Sequence, residues 1–140
     1  MKYLLDADSA IDHLTQHSDL SDRIPDLRPQ DLALSAVTLI ELYTGVDGSP
    51  DPRRAEQDLR RFLRFVTVIP LNQRSIRAAG HLRHALRRQN LPIKHRAFDI
   101  IVAAVALEYG LIVVSSNSRD YRDIPGLRQF NPRTGQLTTR

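Results

Sequence analysis

The chain is 140 residues long, 41% hydrophobic and 26% charged, which is the usage of an ordinary globular domain rather than of a disordered segment. Twenty Lys and Arg against sixteen Asp and Glu give a formal net charge of +4. Zero cysteines exclude a disulfide framework, a thiol nucleophile, an iron–sulfur cluster and a thiolate zinc site. No apolar run reaches the roughly 18 residues that span a bilayer. The opening Met1-Lys2-Tyr3-Leu4-Leu5-Asp6 places an acid where a secretory signal needs apolar residues. These features predict one domain over residues 1–140, in the cytoplasm, with no membrane partner. Lys2 and Lys94 are the only lysines, so arginine, whose planar fork suits phosphate and carboxylate, supplies nearly all of the positive charge. That balance points to a polyanionic partner and says nothing about fold.

Tyr3-Leu4-Leu5 is a short apolar run ending in Asp6 and predicts a buried strand. Ala10 to His17, with Ile11 and Leu14 three apart, predicts a short helix. Residues 19–31 hold Pro25 and Pro29 and predict a turn-rich segment. A second strand is expected over 32–37, followed by a helix that Thr38 N-caps and Gly45 ends. Gly48, Pro50 and Pro52 mark a loop. Arg53 to Phe65 carries Leu59, Phe62 and Leu63 at helical spacing. Val66 to Ile69 predicts a third strand, stopped by Pro70.

Asn72 opens a helix to about Gln89, with Ile76, Ala79, Leu82 and Leu86 on one face. Asn90 to Ala97 is a polar, basic loop. Phe98 to Tyr109 is apolar on every side from Ile100 to Leu107, the mark of a buried helix, and Gly110 stands at its end. Leu111 to Val114 predicts a fourth strand, and Leu127 to Phe130 a short edge strand before a polar tail. Strands alternating with helices imply a three-layer α/β/α domain around a parallel sheet of four to five strands. In such sheets, sites form beyond the carboxyl ends of the strands.

That rule directs attention to carboxylates. Asp6 directly follows the first strand, and Asp8 lies two residues on. Glu41 lies among Leu39, Ile40 and Leu42, one helical turn beyond Thr38. Asp99 opens the most apolar helix, and Asn117 and Asp120 follow the fourth strand. Each has a structural alternative. Asp6 or Asp8 would serve as a helix N-cap, Asp99 as a partner of the helix dipole, Glu41 as half of a capping box with Thr38, and Asp120 as a loop polar. Gathered together, they would repel and raise one another's pKa. A hard divalent cation, Mg²⁺ or Mn²⁺, relieves that repulsion through oxygen ligands. An acidic, metal-loaded site in a basic protein suits hydrolysis of a phosphodiester by a metal-activated water.

Residues 53–88 contain ten arginines against Glu56 and Asp58. Arg60, Arg61 and Arg64 share one side of a helix, as do Arg83, Arg87 and Arg88 in the next. The set suits capture of a nucleic-acid backbone, a solvated face whose stems cover apolar surface, or docking of an acidic partner segment. Sparse aromatics argue against base-stacking platforms. The histidines form no site: His81 and His84 lack a carboxylate at metalloprotease spacing, and His13, His17 and His95 read as surface residues.

Leu4-Leu5-Asp6-Ala7-Asp8 with Ile11, then Leu34-Ser35-Ala36-Val37-Thr38-Leu39-Ile40-Glu41-Leu42-Tyr43-Thr44-Gly45, resembles the opening of PIN-domain nucleases. Phe98-Asp99-Ile100-Ile101-Val102-Ala103-Ala104 is similar to their central segment. Val114-Ser115-Ser116-Asn117-Ser118-Arg119-Asp120-Tyr121, followed by Ile124-Pro125-Gly126-Leu127, is similar to their closing one. The small size resembles the VapC-type toxins of bacterial toxin–antitoxin pairs. The resemblance implies an endoribonuclease dependent on Mg²⁺ or Mn²⁺. Asp6 and Asp99 then match the principal metal ligands, and Glu41 matches a third acid that binds metal or positions the attacking water. Asn117 and Asp120 match a fourth corner, and Ser115 takes the place of a Thr that hydrogen-bonds in the site. The resemblance further implies RNA as substrate, a homodimer, and a cognate VapB-type antitoxin whose C-terminal segment enters the acidic groove. Two departures stand out. Asp8 replaces a common Asn and adds charge, and Lys94-His95-Arg96-Ala97-Phe98 replaces a shorter link, placing cations to contact substrate.

Two other readings compete. Asp6-x-Asp8 after a strand also resembles the nucleophile motif of HAD-type phosphatases, with Asp6 as nucleophile; those need a lysine near the phosphate, for which Lys94 is the only non-terminal candidate, and a later acid pair, for which Asp120 and Asp123 stand in the wrong arrangement. A non-catalytic nucleic-acid-binding module would need only the arginines.

Overall fold

Alternate residues along a strand point to opposite faces. In the three strands Tyr3–Leu5 (β1), Leu32–Ser35 (β2) and Ile112–Val114 (β4), both sets are apolar. Leu4, Ala33 and Val113 enter one core, while Leu5, Leu34 and Val114 enter another on the far side. A sheet buried on both faces is the parallel kind. The computed structural model, which describes residues 1–15 and 20–139, has this architecture.

With Thr67–Ile69 (β3), Arg128–Asn131 (β5) and Gln136–Thr139 (β6), the described strands form one sheet in the order β3-β2-β1-β4-β5-β6. β1 pairs in parallel with β2 (Leu4 opposite Ala33) and with β4 (Leu4 opposite Val113). The chain moves from β1 outward to β2 and β3, then crosses back to β4 on the other side of β1. The switch point therefore lies between β1 and β4, where open α/β sheets place their ligands.

The helices are Ala7–Leu14 (α1), Ala36–Asp47 (α2), Pro52–Leu63 (α3), Gln73–Arg88 (α4) and Ala97–Tyr109 (α5). Ala10, Leu42, Val46 and Leu59, from α1, α2 and α3, fill the core around Leu5 and Leu34. α5 fills the other with Val102, Ala103, Val105 and Ala106, and α4 packs outside it through Leu82. α5 is apolar all round because the sheet lies on one side of it and α4 on the other. Gly110 ends it at φ 66, the left-handed conformation a helix C-terminus favours and glycine adopts freely.

The α/β/α layering agrees with expectation, and several boundaries do not. α1 begins at Ala7 rather than Ala10, because the Asp6 carboxylate accepts the Ser9 N–H at 2.8 Å and caps it. The expected end of that helix at His17, and the start of the turn segment at residue 19, lie outside the described residues. Ser35, not Thr38, caps α2, its hydroxyl accepting the Thr38 N–H at 3.2 Å, so β2 is shorter than expected. α2 runs through Gly45 to Asp47. An exposed mid-helix glycine costs about 1 kcal/mol, which burial of Leu42 and Val46 on either side outweighs. β5 is not an edge, and the polar tail forms β6, antiparallel to it, giving the sheet six strands rather than four or five. The turn between them is closed by Asn131, whose carbonyl accepts the Gly135 N–H at 2.8 Å and whose side chain accepts the Arg133 N–H at 2.9 Å. Asn131-Pro132 and Gly135 between Phe130 and Leu137 are hairpin punctuation that the sequence carries openly. Among the described residues no helix is long and apolar enough to cross a membrane.

Candidate active site

β1 and β2 each turn into a helix across one capping residue, so whatever follows them projects from the same edge of the sheet. Asp6 is that residue for β1. Its N–H donates to the Val114 carbonyl of β4 at 3.1 Å, which places it at the switch point. Burial raises the Asp6 carboxyl above its ordinary value, hydrogen bonds from Ser115 and Ser9 pull it back, and Asp8 adds repulsion. Ser115 is fully buried, and its N–H donates to the Phe130 carbonyl at 3.0 Å, locking the end of β4 to β5.

Glu41 lies on α2 one turn beyond Thr38, on the helix face that also buries Val37 and Thr38. That placement carries a half-buried carboxylate inward along an apolar stripe. Its pKa is raised by burial, then by Asp6 and Asp8. The expected capping box with Thr38 is absent from this helix, since Ser35 takes the cap.

Asp99 is the third residue of α5, in the first turn. Burial pushes its carboxyl up to about 6, with added repulsion from Asp120, Glu41 and Asp6, while the Tyr121 hydroxyl opposes the shift. The Asp120 pKa is also raised, by burial and by Asp8, against the pull of Arg96. Asp120 lies on a 3-10 turn, Ser118–Asp120, that follows β4. Asp6, Glu41, Asp99 and Asp120, from four separate segments, thus share one electrostatic field, and exposed Asp8 acts on three of them.

Asn117, the other candidate for the fourth corner, is neutral and carries no charge into this field. Its side chain is exposed, and its backbone N–H donates to the Ser115 hydroxyl at 3.0 Å. Of the two expected occupants of the fourth corner, Asp120 is the charged one, and it repels Asp99. Sequence reading missed Tyr121, 1% exposed, whose hydroxyl donates to Asp99 Oδ1 at 3.4 Å. Its neighbour Asp120 drew attention first, and a lone tyrosine in a loop gives no signal of burial. Arg96, read as a cation facing substrate, is committed internally: its guanidinium grips Asp123 at 2.6 and 2.8 Å. Lys94 and His95 of the same loop remain exposed. His13 is half-buried, its ring 5.8 Å from that of Phe62, rather than a surface residue.

The donor set is all oxygen. Among the described residues no three acidic or imidazole groups close on one point as a finished cage. An all-oxygen donor set is the kind Mg²⁺ takes, through one or two protein carboxylates and several waters. It does not suit zinc, which prefers nitrogen and sulfur ligands at close tetrahedral range. Burial of several like charges supplies the driving force for holding a hard cation.

The fold and this oxygen-only cluster define a class of α/β proteins with an acidic site at the switch point of a mostly parallel sheet. The family described as PIN domain matches residues 3–127. The chain is 29% identical over 129 residues to the tRNA(fMet)-specific endonuclease VapC of Shigella flexneri, covering 91% of this chain and 96% of the relative. It is 31% identical over 100 residues to ribonuclease VapC2 of Haemophilus influenzae, covering 71% and 74%. Its fold superposes on that of DNA-bound VapBC from Salmonella typhimurium with a TM-score of 0.83 and 26% identity, covering 94% of this chain and 98% of that one. The chain belongs to the PIN-domain family and, within it, to the VapC ribonucleases.

Proposed function

We propose that this protein is an endoribonuclease dependent on Mg²⁺ or Mn²⁺, the toxin of a VapBC-type pair. What supports the reading is Asp6 at the switch point, its N–H bonded to β4, and Asp99, linked through the Tyr121 hydroxyl to the segment that carries Asp120, with burial and mutual repulsion raising these three carboxyls and that of Glu41. Asp6 and Asp99 are the principal ligands in this reading, with Glu41 beside them. Bound there, the ion supplies Lewis acidity toward a phosphoryl oxygen and favours ionisation of water near neutral pH. Glu41, partly exposed and raised in pKa, orients the attacking water and accepts its proton. Asp120 holds the far side of the site. The hydrogen bond from Ser115 favours the ionised form of Asp6 against its burial.

RNA is the substrate in this reading, with exposed arginines of α3 and α4 drawing in the backbone. A VapB-type antitoxin is the partner in this reading, supported by VapBC complexes among the structural neighbours, and the toxin is a homodimer, which rests on the family resemblance alone. The phosphatase alternative loses its acid pair, because Asp123 is taken by Arg96.

Purified protein incubated with RNA and Mg²⁺ or Mn²⁺ tests the reading. Initiator tRNA is the first substrate to try, since a relative is named for cutting it. Cleavage that EDTA abolishes and Asp99→Asn removes is the expected result. RNA binding without cleavage in either metal would favour the non-catalytic module and overturn the proposal.

A further inference from the structure

Among the described residues, the segment that carries Asp120 has no backbone hydrogen bond to the helix that carries Asp99. Among the described residues, the backbone hydrogen bonds donated within 118–124 stay inside that segment or reach back to Asn117. The Tyr121 hydroxyl, 3.4 Å from Asp99 Oδ1, is a long link between the two segments, and Asp99 and Asp120 repel each other, so a second link would steady their separation. Arg96 is placed to supply it. Its backbone opens α5, accepting the Ile100 N–H at 2.9 Å. Its side chain reaches across to the other segment. One terminal nitrogen donates to the Asp120 carbonyl at 2.9 Å and to Asp123 Oδ1 at 2.6 Å. The other donates to Asp123 Oδ2 at 2.8 Å and to the Pro92 carbonyl at 2.6 Å. The two side chains are only 12% and 18% exposed.

We propose that the Arg96–Asp123 pair is a positioning clamp that sets the separation of Asp99 and Asp120 and thereby the affinity of the site for a divalent cation. This rests on the metal-dependent reading above. The chemistry is particular to arginine. Its rigid fork serves four acceptor atoms on three residues at once, where a lysine ammonium is a compact point charge on a flexible stem. Asp123 matters equally, because it neutralises the guanidinium. An unpaired guanidinium beside a cation site would compete with the ion, whereas the pair adds geometry without net charge.

Removing one partner of a buried pair leaves the other stranded and destabilises the fold, whereas replacing both with apolar side chains is often tolerated. The test therefore compares wild type with the double variant Arg96→Met/Asp123→Leu and with Arg96→Lys, all in the full chain. Thermal melting reports fold, and electron paramagnetic resonance of free Mn²⁺ reports binding well below Tm. In the folded double variant the Mn²⁺ Kd is expected to rise about tenfold to a hundredfold, the cost typical of losing an outer-shell support. Arg96→Lys should fall between the two. Cleavage lost at low Mn²⁺ should return in excess Mn²⁺. Wild-type Mn²⁺ affinity in both variants, with only Tm lowered, would reduce the pair to a structural role and overturn the clamp alone. Absence of Mn²⁺ binding in the wild type would overturn the metal-dependent function itself and the clamp with it.

Discussion

The Tyr121 hydroxyl donates to Asp99 Oδ1 at 3.4 Å from a ring buried among the core residues Ile124 and Leu127. One side chain thus belongs to the core and to the acidic site at once. The pKa of its own hydroxyl is raised, by burial and then by Asp6, Asp99 and Asp120, so it stays a donor at any working pH.

Tyr121→Phe removes that donor and keeps the ring. The hydroxyl opposes the upward shift of Asp99, so its loss moves the Asp99 carboxyl higher still. The acidic limb of the pH–rate profile should shift to higher pH, with activity near pH 8 reduced by less than about tenfold, because a hydrogen bond this long is weak. A pH profile unchanged from wild type would remove Tyr121 from the site.

Asp99, raised to about 6 in the fold, holds its proton where the unfolded chain at 3.8 has released it. Between those values the folded state binds more protons, so its stability falls as pH rises through that window. Metal-free protein should therefore melt higher near pH 4.5 than near pH 7 as far as this group decides, and Asp99→Asn should raise the Tm at pH 7 by a few degrees while abolishing cleavage. Melting curves with and without EDTA check both. A lower Tm for Asp99→Asn would refute the like-charge strain.

Asp6 has two tasks that substitution separates. Asparagine is as good an N-cap as aspartate, so Asp6→Asn should keep the cap on α1 and the fold while losing the charge and the cleavage. Asp6→Ala loses the cap as well and should cost about 0.5–2 kcal/mol more in denaturant unfolding. Full cleavage by Asp6→Asn in excess Mg²⁺ would remove Asp6 from the ligand set.

The arginines of residues 53–88 are one run in sequence and two surfaces in space, α3 packing beside α1 and α2 and α4 beside α5. On α3, Arg60 and Arg61 pair with Glu56 at 3.3 Å and Asp58 at 3.6 Å. Among the described residues no ion pair engages Arg83, Arg87 or Arg88 of α4. Changing those three to Gln should weaken RNA binding more than changing Arg60, Arg61 and Arg64, and should lower the salt slope by up to about 2, at roughly 0.7 for each phosphate no longer neutralised. Filter binding at several salt concentrations measures it; equal slopes for both triple variants would return these arginines to a solvated face.

What the sequence determined by itself is local and periodic. The apolar runs ending in Asp6 and Ser115, the all-apolar stretch from Ile100, the cap at Asn72 and Gly110 announced β1, β4, α5 and the ends of α4 and α5, because strand and helix periods and left-handed glycines are written within a few residues. Asp6 and Asp99 were legible for the same reason, one directly after a strand and the other in a first helical turn, and Glu41 because it is an acid in an otherwise apolar helical stretch. Tertiary structure decided the rest. That Asp120 repels Asp99, that Tyr121 reaches the site from the core, and that Arg96 turns inward to Asp123 depend on the approach of segments far apart in the chain. No periodicity encodes such contacts, because a side chain's partner is set by how separate segments pack, and the field that raises Asp99 exists only once they have done so.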